Sequence, residues 1–213
     1  MIVLGLTGSI GMGKSTAANM FRSLGVPVFD SDAEVHKALA TGGAAVAQIE
    51  ETFPGTMAAD GGVDRQKLGA AVFDNPAALR RLEGIVHPLV RRSQVKFRQL
   101  ARAARHPLIV LDVPLLFETN GQRNCDATCV VSAPSFVQAH RVLARPGMTA
   151  EKFKAILGQQ TPDAEKRRRA DFVVPMGAGK NFALRRVRRI VQALTNSNTN
   201  TNSNTNKEQL DDA

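Results

Sequence analysis

One run constrains this chain more than any other: Gly8-Ser9-Ile10-Gly11-Met12-Gly13-Lys14-Ser15, with Thr16 behind it. It fits the pattern G-x-x-x-x-G-K-[ST], and its flanks fit as well. Before it lies Ile2-Val3-Leu4-Gly5-Leu6-Thr7, an apolar run of strand length. After it, Ala17, Ala18, Met20, Phe21 and Leu24 recur at helical spacing, and Gly25 stands where a helix stops. Strand, glycine loop and helix in that order make a phosphate-binding loop. Glycines let the backbone turn tightly, so several N–H groups converge on an anion where the helix dipole is positive. In such a loop Lys14 reaches the β- and γ-phosphates of a nucleotide, and the Ser15 hydroxyl ligates Mg²⁺.

The rest of the chain reads as an α/β protein with a helical insertion. Val26 to Phe29 forms a second short strand, ending at Asp30-Ser31-Asp32. Carboxylates at the carboxyl end of a strand lie on the ligand side of the sheet. Asp32 is therefore a candidate to orient or deprotonate a hydroxyl acceptor, while Asp30 or Asp32 can equally cap the helix that follows. Helices are expected from about Ala44 to Phe53, from Asp64 to Phe73 with Asp64 as cap, and from Asn75-Pro76 onward. His87-Pro88 then separates that segment from a helix running from Leu89 to about Ala104. His87 reads either as a helix-end histidine before a proline or as a polar contact to a substrate. Three or four helices are too many for one crossover, so the sequence predicts a helical lobe inserted into the core.

The sheet resumes with Pro107 to Pro114, apolar through Leu111 as a buried parallel strand should be. Asp112 stands near its end, where loops of this kind often carry an acid for the Mg²⁺ shell. Ala127 to Val131 is another strand, and Asp171 to Val174 the last. Between them Gln138, Arg141 and Arg145 recur at three and four, which places a guanidinium pair on one helical face. Pro146-Gly147 breaks that helix, and Thr149-Ala150-Glu151 starts another that reaches about Gln160. Two short basic helices around a break suit a mobile lid over a nucleotide. Asp163 to Ala170 is charged almost throughout and reads mostly as a solvated face. Phe182 to Leu194 is a final amphipathic helix, and the alternation of Asn with Thr or Ser from Thr195 to Asn206 predicts disorder.

Charge and cysteines narrow the possible functions. Between Phe136 and Ile190, thirteen Lys and Arg stand against four acids, an excess equal to the whole net charge of +9. Such a balance suits a polyanion, either nucleic acid or phosphorylated small molecules. A stacking surface for nucleic acid is lacking, with no Trp or Tyr and only scattered Phe. No apolar run approaches the roughly 20 residues that span a bilayer, and no leader pattern opens the chain, so a cytoplasmic protein is expected. Cys125 and Cys129 have no companions to complete a metal set and are expected as buried or half-buried thiols.

These motifs together resemble the dephospho-coenzyme A kinase family, along nearly the whole chain to about residue 180. The resemblance rests on Leu6 to Thr16, Asp30-Ser31-Asp32, His87-Pro88 and Val113-Pro114-Leu115-Leu116-Phe117-Glu118. It rests also on Gln138-x-x-Arg141-x-x-x-Arg145 and Lys166-Arg167-x-Arg169-Ala170-Asp171. It implies ATP-dependent phosphorylation of the ribose 3′-hydroxyl of dephospho-coenzyme A, with ATP and Mg²⁺ bound. It implies a three-layer α/β/α P-loop fold on a parallel sheet, as one kinase domain over about residues 1–194. The core would comprise about 1–32, 105–136 and 170–194, the substrate lobe about 33–104, the lid about 137–169, and 195–213 a disordered tail. Carried over by position, Gly11, Met12, Gly13, Lys14, Ser15 and Thr16 hold the ATP phosphates, and Arg141 and Arg145 contact phosphate from the lid. Asp32 faces the acceptor hydroxyl, and His87 becomes a substrate-lobe residue. Lys14, Asp32 and Arg141 carry the catalysis. Ser15 holds the metal, and the resemblance does not require an acid at Asp112. The chain departs from the pattern at Met12 and Ser9, where no side chain is required, and at Val174-Pro175-Met176, which leaves adenine contacts there open. A monomer acting on a small molecule, without nucleic acid or membrane, is the expected state. Another small-molecule P-loop kinase and a nucleic-acid binder are the rival readings.

Overall fold

The computed structural model describes residues 1–73 and 75–204, and side chains as far as residue 196. Five strands form one sheet: β1 (Ile2–Thr7), β2 (Val28–Asp30), β3 (Leu108–Asp112), β4 (Ala127–Ser132) and β5 (Phe172–Pro175). Their order is β2-β3-β1-β4-β5, and β1 pairs in parallel with both β3 and β4, as β4 does with β5. The phosphate loop therefore leaves the central strand.

Register explains why both faces of the sheet are apolar. Leu4 and Leu6 stand opposite Val110 and Asp112 on one side and Ala127 and Cys129 on the other. With Leu108, Val131 and Val174 they form one face, covered by Ala17, Ala18 and Phe21 of α1 (Lys14–Ser23) and by Ala183, Val187 and Ile190 of the C-terminal helix. Val3, Ile109, Leu111 and Val130 point the other way and are buried as well. Helices on both faces of a parallel sheet demand this continuous apolarity. Phe21 is fully buried, a burial worth roughly 1.5–3 kcal/mol.

The chain divides into two compact units, residues 1–29 with 101–213 and residues 30–100. The second is helical: α2 (Ser31–Leu39), α3 (Val46–Thr52), α4 (Arg65–Val72) and α5 (Pro76–Ala103). Its own core joins Leu39, Ile49, Phe53, Val63, Leu68, Ala78 and Ile85. Asp30 caps α2 by accepting from the Ala33 N–H at 3.0 Å, and Asp64 caps α4 by accepting from the Gln66 and Lys67 N–H groups. The predicted break at His87-Pro88 is absent. One helix runs from Pro76 to Ala103 with Pro88 inside it. The apolar stripe of Ala78, Leu82, Ile85 and Leu89 crosses the proline and packs on the same core, which holds both halves in line despite the missing hydrogen bond.

The C-terminal half adds α6 (Ser135–Leu143), α7 (Ala150–Gly158), α8 (Asp163–Arg169) and α9 (Lys180–Asn204). Helix α9 does not stop at Leu194. Its described backbone reaches Asn204, and residues 205–213 lie outside the described residues. An established helix needs no second nucleus, and each added residue contributes a backbone bond. At the junction the Thr195 hydroxyl donates to the Val191 carbonyl at 2.9 Å. Among the described residues no helix is long and apolar enough to cross a membrane.

Candidate active site

Six residues, Gly8 to Gly13, connect β1 to α1. Their path needs glycine at two points in particular. Gly11 and Gly13 have φ of 75° and 96°, in the left-handed region that other residues enter at a cost. Each is also crowded: a β-carbon on Gly11 would come within 2.4 Å of the Val142 side chain, and one on Gly13 within 3.1 Å of Met176. The loop thus lies against α6 and against the residues that follow β5. Gly13 forms the N-cap of α1 without a capping side chain, which leaves the first N–H groups of that helix for a ligand.

Lys14 opens α1, and its Nζ lies 2.5 Å from Asp112 Oδ1. The geometry follows from strand period. Asp112 continues the face of Leu108 and Val110, so its carboxylate emerges on the α1 side of the sheet, 3% exposed. Because β3 lies between β1 and β2, the carboxylate next to the phosphate loop is Asp112. The acids at the end of β2 are not its neighbours in the strand order. Ser15 is exposed and Thr16 half-buried at the start of the helix.

Met12 does more than the sequence required of it. Its side chain is buried, and its sulfur accepts a hydrogen bond from the Ala133 N–H at 3.0 Å, which ties the loop to the end of β4. Gln138 is buried too, and its side-chain amide donates to the Ile10 carbonyl at 2.7 Å. Arg141 donates to the Met176 carbonyl at 2.8 Å and approaches the Gly11 carbonyl at 3.5 Å. The expected pair of arginines on one helical face does not form. Helix α6 ends at Leu143, so Arg145 lies in the turn beyond it and is exposed. Pro146-Gly147 stops the helix a residue or two sooner than the spacing suggests.

The basic segment after α7 also departs from expectation. Lys166 belongs to no solvated face. Its side chain is fully buried, with Nζ 2.9 Å from Glu118 Oε1. The Thr161 N–H donates to the same oxygen at 2.8 Å. Burial by itself pushes the Glu118 carboxyl up, but the Lys166 ammonium and the Thr161 N–H outweigh it and hold the group below its ordinary value of 4.5. A fully buried lysine needs an acid, and Pro-Leu-Leu-Phe-Glu supplies it. Both partners stand in motifs visible in the sequence, yet nothing in their spacing announces that they meet. Gln160, whose side chain accepts from the Ile10 N–H at 3.1 Å, had no sequence signal at all.

Beside the carboxyl ends of β4 and β5 opens a cleft of about 550 Å³, lined in part by Ser132, Pro134, Asp163, Arg167, Pro175 and Gly177. Met176, which follows the cleft-lining Pro175 in the chain, packs its buried side chain beside Gly13. Cys129 is buried in β4, where loss of hydration pushes its thiol up to about 12, and Cys125 is half-buried; the two form no disulfide.

In the helical unit Asp32 is exposed in the first turn of α2, two residues beyond the capping Asp30. His87 is exposed in the middle of α5, where it lines a trough of about 450 Å³ with Pro88, Arg91, Arg92 and Val95. The structure thus gathers Lys14, Asp112, Met12, Gln138 and Arg141 around one loop, and carries Asp32 and His87 in the other unit.

The chain is similar to known proteins over most of its length. The family described as dephospho-CoA kinase matches residues 2–180. The dephospho-CoA kinase of Paramagnetospirillum magneticum is 60% identical over 167 residues, covering 78% of each chain. That of Mesorhizobium japonicum is 55% identical, covering 91% of this chain and 97% of its own. Among solved structures, a Thermus thermophilus protein superposes with a TM-score of 0.79 at 38% identity, covering 90% of this chain and 96% of its own. Phosphate loop, strand order and the Pro-Leu-Leu-Phe-Glu run all fall inside the matched region, and the chain belongs to the dephospho-CoA kinase family.

Proposed function

We infer that this chain transfers the terminal phosphoryl group of ATP to the ribose 3′-hydroxyl of dephospho-coenzyme A, giving coenzyme A and ADP in the final step of coenzyme A biosynthesis. One observation carries the reading: a family match that spans both compact units and not the phosphate loop alone.

The roles of individual residues follow from phosphoryl-transfer chemistry. The transition state is loose, so the protein's work is positioning and charge neutralisation. Gly11 to Thr16 offer the N–H groups at the start of α1 to the ATP phosphates. Lys14 exchanges its partner Asp112 for phosphate oxygens without leaving the site, since both lie at one end of the sheet. Arg141 and Arg145 approach phosphate from α6 and the turn after it. The nucleotide base lies against the loop after β5, next to Met176 and the cleft at Pro175. Asp32 orients the acceptor hydroxyl and takes its proton late, and His87 contacts the acceptor from α5.

Among the described residues no three His, Cys, Asp or Glu side chains cluster to hold a metal alone. A single hydroxyl and a carboxylate fit Mg²⁺, which keeps most of its ligands as water and substrate phosphate. Ser15 would hold it, with Asp112 nearby, and the ion would neutralise charge on the phosphates. In the same reading residues 33–104 form the acceptor lobe and 137–169 a lid, and the chain acts as a cytoplasmic monomer on soluble small molecules.

The test is ADP release from MgATP with dephospho-coenzyme A, AMP and adenosine as separate acceptors. Turnover confined to dephospho-coenzyme A is expected. Equal turnover with AMP or adenosine would make this a different P-loop kinase. For Asp32 the measurement is Asp32→Asn: lost turnover with ATP binding retained is expected, and near-normal turnover removes the role.

A further inference from the structure

The peptide groups on either side of Ile10 are held by two glutamines from separate segments. The Gln160 side-chain oxygen accepts from the Ile10 N–H at 3.1 Å, and the Gln138 side-chain amide donates to the Ile10 carbonyl at 2.7 Å. Those backbone partners fix which end of each amide faces the loop. Ile10 is otherwise poorly supported. It lies beyond the last residue of β1 and four before α1, where neither ladder reaches it.

Gln160 is itself held from below. The next residue, Thr161, donates its N–H to Glu118 Oε1 at 2.8 Å, and Glu118 is paired with the fully buried Lys166. A buried ion pair thereby sets the backbone of the α7–α8 connection, which sets Gln160, which sets the phosphate loop. We propose that Gln160 is a positioning residue: through the Ile10 N–H it presets the phosphate loop for ATP, with Glu118 and Lys166 as its foundation. A loop already in its binding shape avoids ordering itself on the ligand, so the effect falls on ATP and not on the acceptor.

This inference rests on the ATP-dependent reading above, and the experiment separates the two. The variant is Gln160→Met, close in size but without the accepting oxygen. Gln160 is only half-buried, so the fold is expected to survive, with the thermal midpoint as the check. Affinity for a fluorescent ATP analogue, which needs no turnover, should fall about five- to tenfold. The KM for ATP should rise by the same factor, with the KM for dephospho-coenzyme A unchanged. Hydrogen exchange at the Ile10 amide should accelerate while β1 amides do not. Unchanged ATP affinity, or a loss shared equally by both substrates, overturns the proposal. Tighter ATP binding overturns it too, since Gln160 would then be a competitor for a phosphate-binding N–H. Failure of the parent protein to bind the analogue would instead refute the ATP reading itself.

Discussion

Helices α7 and α8 are neighbours of similar length cut from the same basic stretch, and they are held in opposite ways. Helix α7 buries none of its residues. Helix α8 is fixed at every third position: Asp163 accepts from the Ser132 hydroxyl at 2.7 Å, Lys166 pairs with Glu118, and the Arg169 guanidinium lies 4.6 Å from the Phe117 ring centre. Composition cannot distinguish the two, because a lysine adds the same charge whether it faces water or a buried carboxylate. If the segment moves over a nucleotide, α7 is the part free to move and α8 the post on which it turns. Low burial and exposed backbone bonds are the physical signs of easy local opening.

The sharpest way to break this contrast is to remove the charge of Glu118. Glu118→Gln leaves the Lys166 ammonium buried without an acid, at a cost of about 3–5 kcal/mol. In a chain of this size that lowers the thermal midpoint by roughly 10 °C. Glu118→Leu combined with Lys166→Met should cost less than either change alone, since no stranded charge remains, and a double-mutant cycle measures the difference.

Acid tests the same pair. Glu118 titrates below 4.5 in the folded chain, so its contribution is complete above that value and drains away as pH falls through the lowered one. Lys166→Met should therefore be most destabilising near neutrality, and the gap in melting temperature from the parent should narrow on acidification. A gap that widens in acid would mean that Lys166 is not held by a carboxylate.

Smaller effects are expected on α7. Thr149 accepts from the Lys152 N–H at 3.2 Å as the helix cap, and Thr149→Ala should loosen that helix by about 1 kcal/mol. Hydrogen exchange in α7 should quicken while exchange in α8 and the global melt stay unchanged. Lys154→Ala, exposed on the same helix, should stay within about 0.5 kcal/mol of the parent. A larger loss would show that α7 is docked after all.

The sequence was most readable where local pattern and packing agree. The phosphate loop, the strands at β1, β3, β4 and β5, the cap at Asp64 and the helix start at Thr149 all follow from short-range chemistry that the residues themselves display. Where it misled, a distant partner had overruled the local signal. Pro88 reads as a helix boundary because a proline removes a hydrogen bond, yet the stripe from Ala78 to Leu89 has enough apolar surface to span it. Lys166 reads as solvated because its neighbours are charged, and only the fold brings Glu118 beneath it. Gln160 was illegible for a simpler reason. An uncharged side chain that bonds one backbone N–H 150 positions away carries no periodicity, charge or motif.

The strand order has a consequence for synthesis on the ribosome. Strand β1 is made first, but its neighbours β3 and β4 begin at Leu108 and Ala127. At about 5–20 residues per second the nascent chain waits on the order of 5–20 s with both edges of its central strand unpaired. Residues 30–100, which carry a core of their own, emerge in that interval. The nucleotide loop is thus translated well before it can take its final shape, since Ala133, Gln138 and Gln160 must all leave the exit tunnel before they can hold it.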